Sequence, residues 1–181
     1  MRSIFRHRSP APIQTRNYSR FRPYIREDFA ECCAYCLLHE RLAGGQEHFE
    51  LDHFRPKSDP RFQHLEGDYS NLYYSCRACN NTKRAAWPKP ELEAKGYRFV
   101  DPCQEVFSDH FVDNDGVWTP RTPAGMYSEE RLRLNRSQLV FIRRLLLFLS
   151  KCYGVTVDWD RPLGPQIIHV LDAIAGLANR N

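Results

Sequence analysis

Cys33-Ala-Tyr-Cys36 and Cys76-Arg-Ala-Cys79 are the two stretches on which the reading of this chain turns. Two residues between cysteines let both sulfurs of a pair face one tetrahedral ion, and two such knuckles close a shell of four thiolates. A closed shell leaves no position for a substrate, so the Zn2+ expected on Cys33, Cys36, Cys76 and Cys79 is structural. The interval between the knuckles is wider than in a common zinc ribbon, which implies an inserted functional segment. Cys32 also lies within reach of Cys36. The Cys33 register mirrors Cys76/Cys79 and is preferred, although the choice between Cys32 and Cys33 stays open. Cys103 and Cys152 read as ordinary core cysteines.

Composition limits the class of protein. The chain has 181 residues and a formal charge of +4, from 26 Lys+Arg against 22 Asp+Glu. That charge is uneven: Arg2, Arg6, Arg8, Arg16, Arg20, Arg22 and Arg26 all precede the first acidic residue, Glu27. Such an arm suits a polyanion, because each neutralised phosphate releases condensed counterions; a solvated, partly mobile terminus is the plainer alternative. Seven cysteines, an odd number with four of them in C-x-x-C pairs, argue against a secreted disulfide scaffold. The start of the chain shows arginines but no apolar h-region, and Leu145 to Leu149, its longest apolar stretch, is too short for a bilayer. A cytoplasmic protein with no membrane association is expected.

Outward from the knuckles, residues 1–22 read as a basic extended arm, and Pro23 to about Cys32 as a short helix with Pro23 in its first turn. A strand is expected over His48 to His53 and a helix from Arg77 to Ala86, ended by Trp87-Pro88. Asp113-Asn-Asp-Gly116 between Phe111-Val112 and Val117-Trp118 signals a hairpin. Asn135 is expected to cap a long helix that stops at Gly154 and presents Leu139, Ile142, Leu145, Leu146 and Leu149 on one face. A shorter amphipathic helix is expected over Gln166 to Ala178.

The segment framed by the knuckles carries Glu50-Leu-Asp-His-Phe-Arg-Pro-Lys-Ser58 and Asn71-Leu-Tyr-Tyr-Ser-Cys-Arg-Ala-Cys-Asn-Asn-Thr-Lys83. Together with the cysteines, these residues resemble the HNH endonuclease family over residues 33–87. Its pattern is Asp-His at a strand end, a central Asn, and a His or Asn on the following helix. The resemblance implies an α+β fold with a ββα-metal core stapled by the four-cysteine zinc site, an N-terminal basic arm, and a C-terminal helical elaboration. It divides the chain into an arm (1–22), a nuclease core (23–90) and an accessory hairpin and helical region packed on the core (91–181).

The same resemblance implies roles. His53 is the general base, a task for which a neutral imidazole has nearly the right pKa. Asp52 and Asn80 hold a catalytic Mg2+ or Mn2+, the amide at position 80 making this an HNN variant suited to a hard cation. Asn71 braces the loop and orients His53. A regular strand sends Asp52 and His53 to opposite faces, so bringing both to one metal centre requires a bend there. Lys83, three residues beyond Asn80 on the same helix face, is placed to meet a phosphate, with Arg55, Arg77 and Arg84 as further nucleic-acid contacts. The plainer alternatives are a structural His53, a turn-bonding Asp52, a helix-capping Asn80 and solvated surface cations.

The expected activity is metal-dependent endonucleolytic hydrolysis of nucleic-acid phosphodiesters, with DNA favoured over RNA. Phe99 to Cys103 and Gly125 to Arg136 resemble, more loosely, the accessory region of bacterial HNH proteins that serve anti-phage systems beside an ATPase. That likeness implies a defence effector with an ATPase or other regulatory partner. The alternative is a zinc-stapled nucleic-acid-binding or adaptor module without catalysis.

Overall fold

Proline at a first helical position forfeits no hydrogen bond, and Pro23 opens helix α1, Arg22–Asp28, in the computed structural model, which describes residues 3–15, 17–154 and 156–178. The helix is shorter than expected. Ala30 and Glu31 take positive φ (48° and 61°) and turn the chain into the first knuckle. Strands β1, Phe49–His53, and β2, Leu72–Cys76, then pair antiparallel, in a register that sets Phe49 opposite Cys76 and His53 opposite Leu72. All of β2 is buried because helices pack on this ribbon: α1, and α2 at Arg77–Lys83, which starts directly after Cys76. The second helix ends short of Ala86, where Arg84 takes φ 48°. A single turn, α3 (Pro90–Glu93), follows.

The second half is built on a hairpin of β3, Phe111–Asn114, and β4, Val117–Pro120. Its two-residue turn, Asp115-Gly116, has φ of 51° and 79°, the left-handed pair that Asp-Gly supplies cheaply. Helix α4, Pro123–Leu132, capped by Thr122 Oγ1 accepting from Gly125 N at 3.0 Å, escaped the sequence reading. Helices α5, Ser137–Tyr153, and α6, Leu163–Ala178, close the chain, and Gly154 ends α5 in the left-handed conformation as expected. The cap does not follow the expectation: Asn135 instead exchanges hydrogen bonds with Trp118 N and O (2.8 and 2.9 Å), tying the long helix to the hairpin. The buried face of α5 is also rotated. It carries Leu139, Arg143, Leu146 and Ser150, while Leu145 is 42% exposed. Cys152 is exposed, contrary to its reading as a core residue.

The arm is anchored, not extended into solvent. Ile4 and Phe5 are buried, Phe5 N donates to Pro102 O at 2.9 Å, and Arg8 pairs with Glu27 and Asp28 at 2.9 and 2.7 Å. Two apolar residues among the arginines supply the anchor, and the acidic end of α1 takes the charge. Arg2 and Arg16 lie outside the described residues. An aromatic chain joins the halves: Phe99, fully buried, has ring centroids of Tyr35 at 6.4 Å and Tyr127 at 5.0 Å. No helix among the described residues is long and apolar enough to cross a membrane.

In the second half, Glu105 accepts from Arg98 (2.5 Å), His110 (3.0 Å) and the Asp101 backbone (2.9 Å). Burial alone would raise its carboxyl, but the Arg98 and His110 hydrogen bonds hold it far below the usual carboxylate range. A depressed carboxylate contributes stability that is present above its unfolded pKa and lost as the pH falls through the folded one. Glu105→Gln is therefore expected to cost about 1–2 kcal/mol at pH 7, discounted for the partly exposed arginine, with the difference closing under strongly acidic conditions. Urea unfolding across pH checks this, and a pH-independent difference would contradict it.

Candidate active site

Both knuckles are placed by the ribbon. Cys76 ends β2, Cys79 sits one turn into α2, and Ala34 N donates to Tyr74 O at 2.8 Å, pinning the first knuckle beside the strand. The sulfurs of Cys33, Cys36, Cys76 and Cys79 consequently lie within 4.8 Å of one another, all buried. Tetrahedral zinc with Zn–S bonds of ~2.3 Å needs sulfurs about 3.8 Å apart. Cys36 and Cys76 sulfurs are 3.9 Å apart, so the donor set fits the ion in type, number and spacing. Burial opposes ionisation, yet hydrogen bonds from the other three thiols hold Cys33 well below the ordinary thiol range. Cys32 is excluded from the cluster: its sulfur accepts from Gly164 N at 3.4 Å and burial pushes it up to about 12.

Two arginines from the second half face this cluster. Arg136 Nη2 donates to Cys79 Sγ at 3.5 Å. Arg143, 1% exposed, lies 4.0 Å from the Trp118 ring centroid; burial lowers its guanidinium to about 10, against the attraction of Cys36 and Asp113. Neither arginine was singled out by sequence: Arg136 precedes the helix, and Arg143, inside its Leu-rich face, reads as an interruption of the pattern and not as a counter-charge.

Beyond the cluster, the ribbon separates the remaining site residues. On the side facing α2 stand Glu50 and Asp52, two positions apart and so on one face. Asn80 Nδ2 donates to Glu50 Oε2 at 2.6 Å, and Arg77 Nε reaches Glu50 Oε1 at 3.3 Å. Asp52 pairs with Lys83 Nζ at 2.9 Å and accepts from the Tyr35 hydroxyl. Burial pushes the Asp52 carboxyl up, while the charge of Lys83 opposes the shift. Lys83 is fully buried, which corrects its reading as a phosphate contact: its ammonium is spent on Asp52 and on His53 O, 2.8 Å away.

His53 leaves the strand on the other face. The expected bend is not formed, since the pairing stays regular through His53↔Leu72. Its Nε2 is 2.9 Å from Glu66 O, and the edge of Tyr18 lies over the ring at 4.8 Å between centroids. Burial lowers the imidazole below its ordinary value, which favours the neutral form. Asn71, 5% exposed, laces the intervening loop: Oδ1 accepts from Arg55 N (2.9 Å), and Nδ2 donates to Arg55 O (3.0 Å) and Leu65 O (3.3 Å). Leu65 adjoins Glu66, so one amide braces the segment whose carbonyl meets His53. Glu66 acts through its backbone, and no side-chain pattern announces that.

Of the remaining cations, Arg77 is exposed on α2 and Arg84 is exposed just past its end, the Arg84 side chain donating to Asn81 O at 3.1 Å. Arg55 lies over Phe62 at 5.5 Å and lines an open cleft of about 880 Å³ with Arg6, Arg8 and Asn71. A family model of HNH endonucleases matches residues 33–85, the span holding both knuckles and the ribbon between them. No curated protein and no solved structure matches the chain.

The cluster makes a direct prediction. Cys36→Ser or Cys79→Ser is expected to abolish stoichiometric zinc, while Cys32→Ala retains one zinc per chain by elemental analysis. Structural zinc contributes about 10–16 kcal/mol, more than a domain's net stability, so chelation is expected to unfold the core as read by circular dichroism.

Proposed function

We propose that the HNH domain at residues 33–85 makes this chain a metal-dependent endonuclease that hydrolyses phosphodiesters, with DNA put before RNA as substrate. One observation carries the reading: an imidazole held at a strand end by a carbonyl that a buried asparagine braces. With Nε2–H donated to Glu66 O, the tautomer leaves the Nδ1 lone pair of His53 to take a proton from the attacking water. Asn71 keeps that tautomer by holding Leu65 and Arg55 in place.

Asp52 and Asn80 would hold a Mg2+ or Mn2+ ion. Both offer hard oxygen donors, and the amide contact of Asn80 to Glu50 engages its nitrogen and leaves its oxygen to a cation. Bound there, the cation would offset charge gathering on the phosphate. Arg55, Arg77 and Arg84 would position the backbone of the substrate; the cleft beside Arg55 is lined by Asn71 but not by His53, Asp52 or Asn80. A binding module without catalysis is the second reading, favoured by the pairing of Asp52 with Lys83.

Zinc-loaded protein incubated with plasmid DNA and with total RNA, in Mg2+, Mn2+ or EDTA, tests the proposal. Cleavage that needs the divalent cation and falls about 10²–10⁴-fold in His53→Ala is expected. Asn71→Ala, which loosens the brace and leaves the base in place, is expected to lose a smaller factor in kcat with binding retained. Equal cleavage by His53→Ala and parent would sink the assignment of the base, and salt-sensitive binding without cleavage would favour the second reading.

A further inference from the structure

We propose that Lys83 is a positioning residue: its buried ammonium pins the end of β1 to α2 and thereby sets where His53 stands. The inference rests on the nuclease reading above only for its kinetic consequence; the pinning itself is independent of it. Two oxygens and two aromatic rings surround the ammonium. Nζ donates to His53 O at 2.8 Å and to Asp52 Oδ2 at 2.9 Å, and the ring centroids of Phe99 and Tyr35 lie 5.6 and 5.9 Å away. Rings at that range favour a cation through their negative faces. With the side chain fully buried, no face remains for a substrate phosphate.

Three separate elements meet at this one atom. Lys83 is the last residue of α2, where the helix end favours a positive charge. Tyr35 comes from inside the first knuckle, and its hydroxyl donates to the same Asp52 oxygen that Lys83 holds. Phe99 belongs to the second half and has no exposed surface. The strand end therefore cannot shift without disturbing the knuckle, the helix terminus and the accessory half together. His53 is gripped on its carbonyl by Lys83 and on its ring by Glu66, so backbone and side chain are fixed from opposite sides.

The test compares the zinc-loaded parent with Lys83→Met, which keeps the stem and removes the charge. Because that leaves Asp52 unpaired in the interior, Asp52→Asn/Lys83→Met serves as a second variant in which the pair is neutral. In protein labelled with 15N-histidine, the His53 ring N–H signal reports its bond to Glu66. Loss of that signal in either folded variant, with zinc content unchanged, is the expected result. Kinetically, Lys83→Met is expected to lower kcat by about 10-fold or more, while KM and the salt dependence of binding to a duplex DNA oligonucleotide stay as in the parent. A retained ring signal in the neutral pair overturns the proposal. So does a raised KM accompanied by a salt dependence shallower by about one phosphate, the mark of a residue that touches the substrate backbone. Should the parent cleave nothing, the nuclease reading fails while the ring signal still decides the role of Lys83.

Discussion

Convergence of the Cys33, Cys36, Cys76 and Cys79 sulfurs on one point governs the geometry of everything near it. The first knuckle is brought against β2, the ribbon's end is joined without a linker to α2, and the rotation of α2 about its axis is set by Cys79. That rotation decides which helix residues face β1. Asn80 meets Glu50, and Lys83, three positions on, meets Asp52. A five-residue two-stranded ribbon has little stability of its own, so the precision of the site is borrowed from the cluster.

The surroundings of β1 show how one short strand serves two environments. The side toward α2 is charged and crowded, with Asp52 and Lys83 compensating one another among aromatic rings. The other side holds one imidazole under Tyr18, hydrogen-bonded to a loop. Lys57 bridges that region, 2.7 Å from Glu66 Oε1 and 3.3 Å from the Tyr18 hydroxyl, so the arm contributes to the cover over His53. Interior residues on the first side gain rigidity from paired charge, whereas on the second side burial lowers the imidazole of His53 below its ordinary value.

Much of this was legible in the sequence because metal coordination acts at fixed, short separations. The cysteine pairs located the ribbon and the helix after it, and Asp115-Gly116 located the hairpin, since only a few residues take that turn cheaply. What escaped was set by tertiary contacts between distant positions. Lys83 reads as a surface cation until the ribbon is folded beside it, and Asn135 reads as a cap until Trp118 is brought within reach. Arg8 reads as part of a free arm because nothing local shows that Ile4 and Phe5 bury themselves against Pro102. Glu66 was invisible for a different reason: a backbone carbonyl belongs to every residue.

Arg136 and Arg143 bring positive charge from the second half toward the cluster. A zinc ion with four thiolates is a dianion, and the two guanidiniums facing it come from the start and middle of α5, far along the chain. Arg143 is buried, its Nε and Nη2 donating to the carbonyls of Leu139 and Leu134 and its guanidinium lying over the Trp118 ring. Removing the cysteines would leave Arg136 without its sulfur acceptor, and removing Arg136 would take that donor from the dianion. Metal content and the packing of α5 are therefore coupled, although the knuckles and the helix lie far apart along the chain.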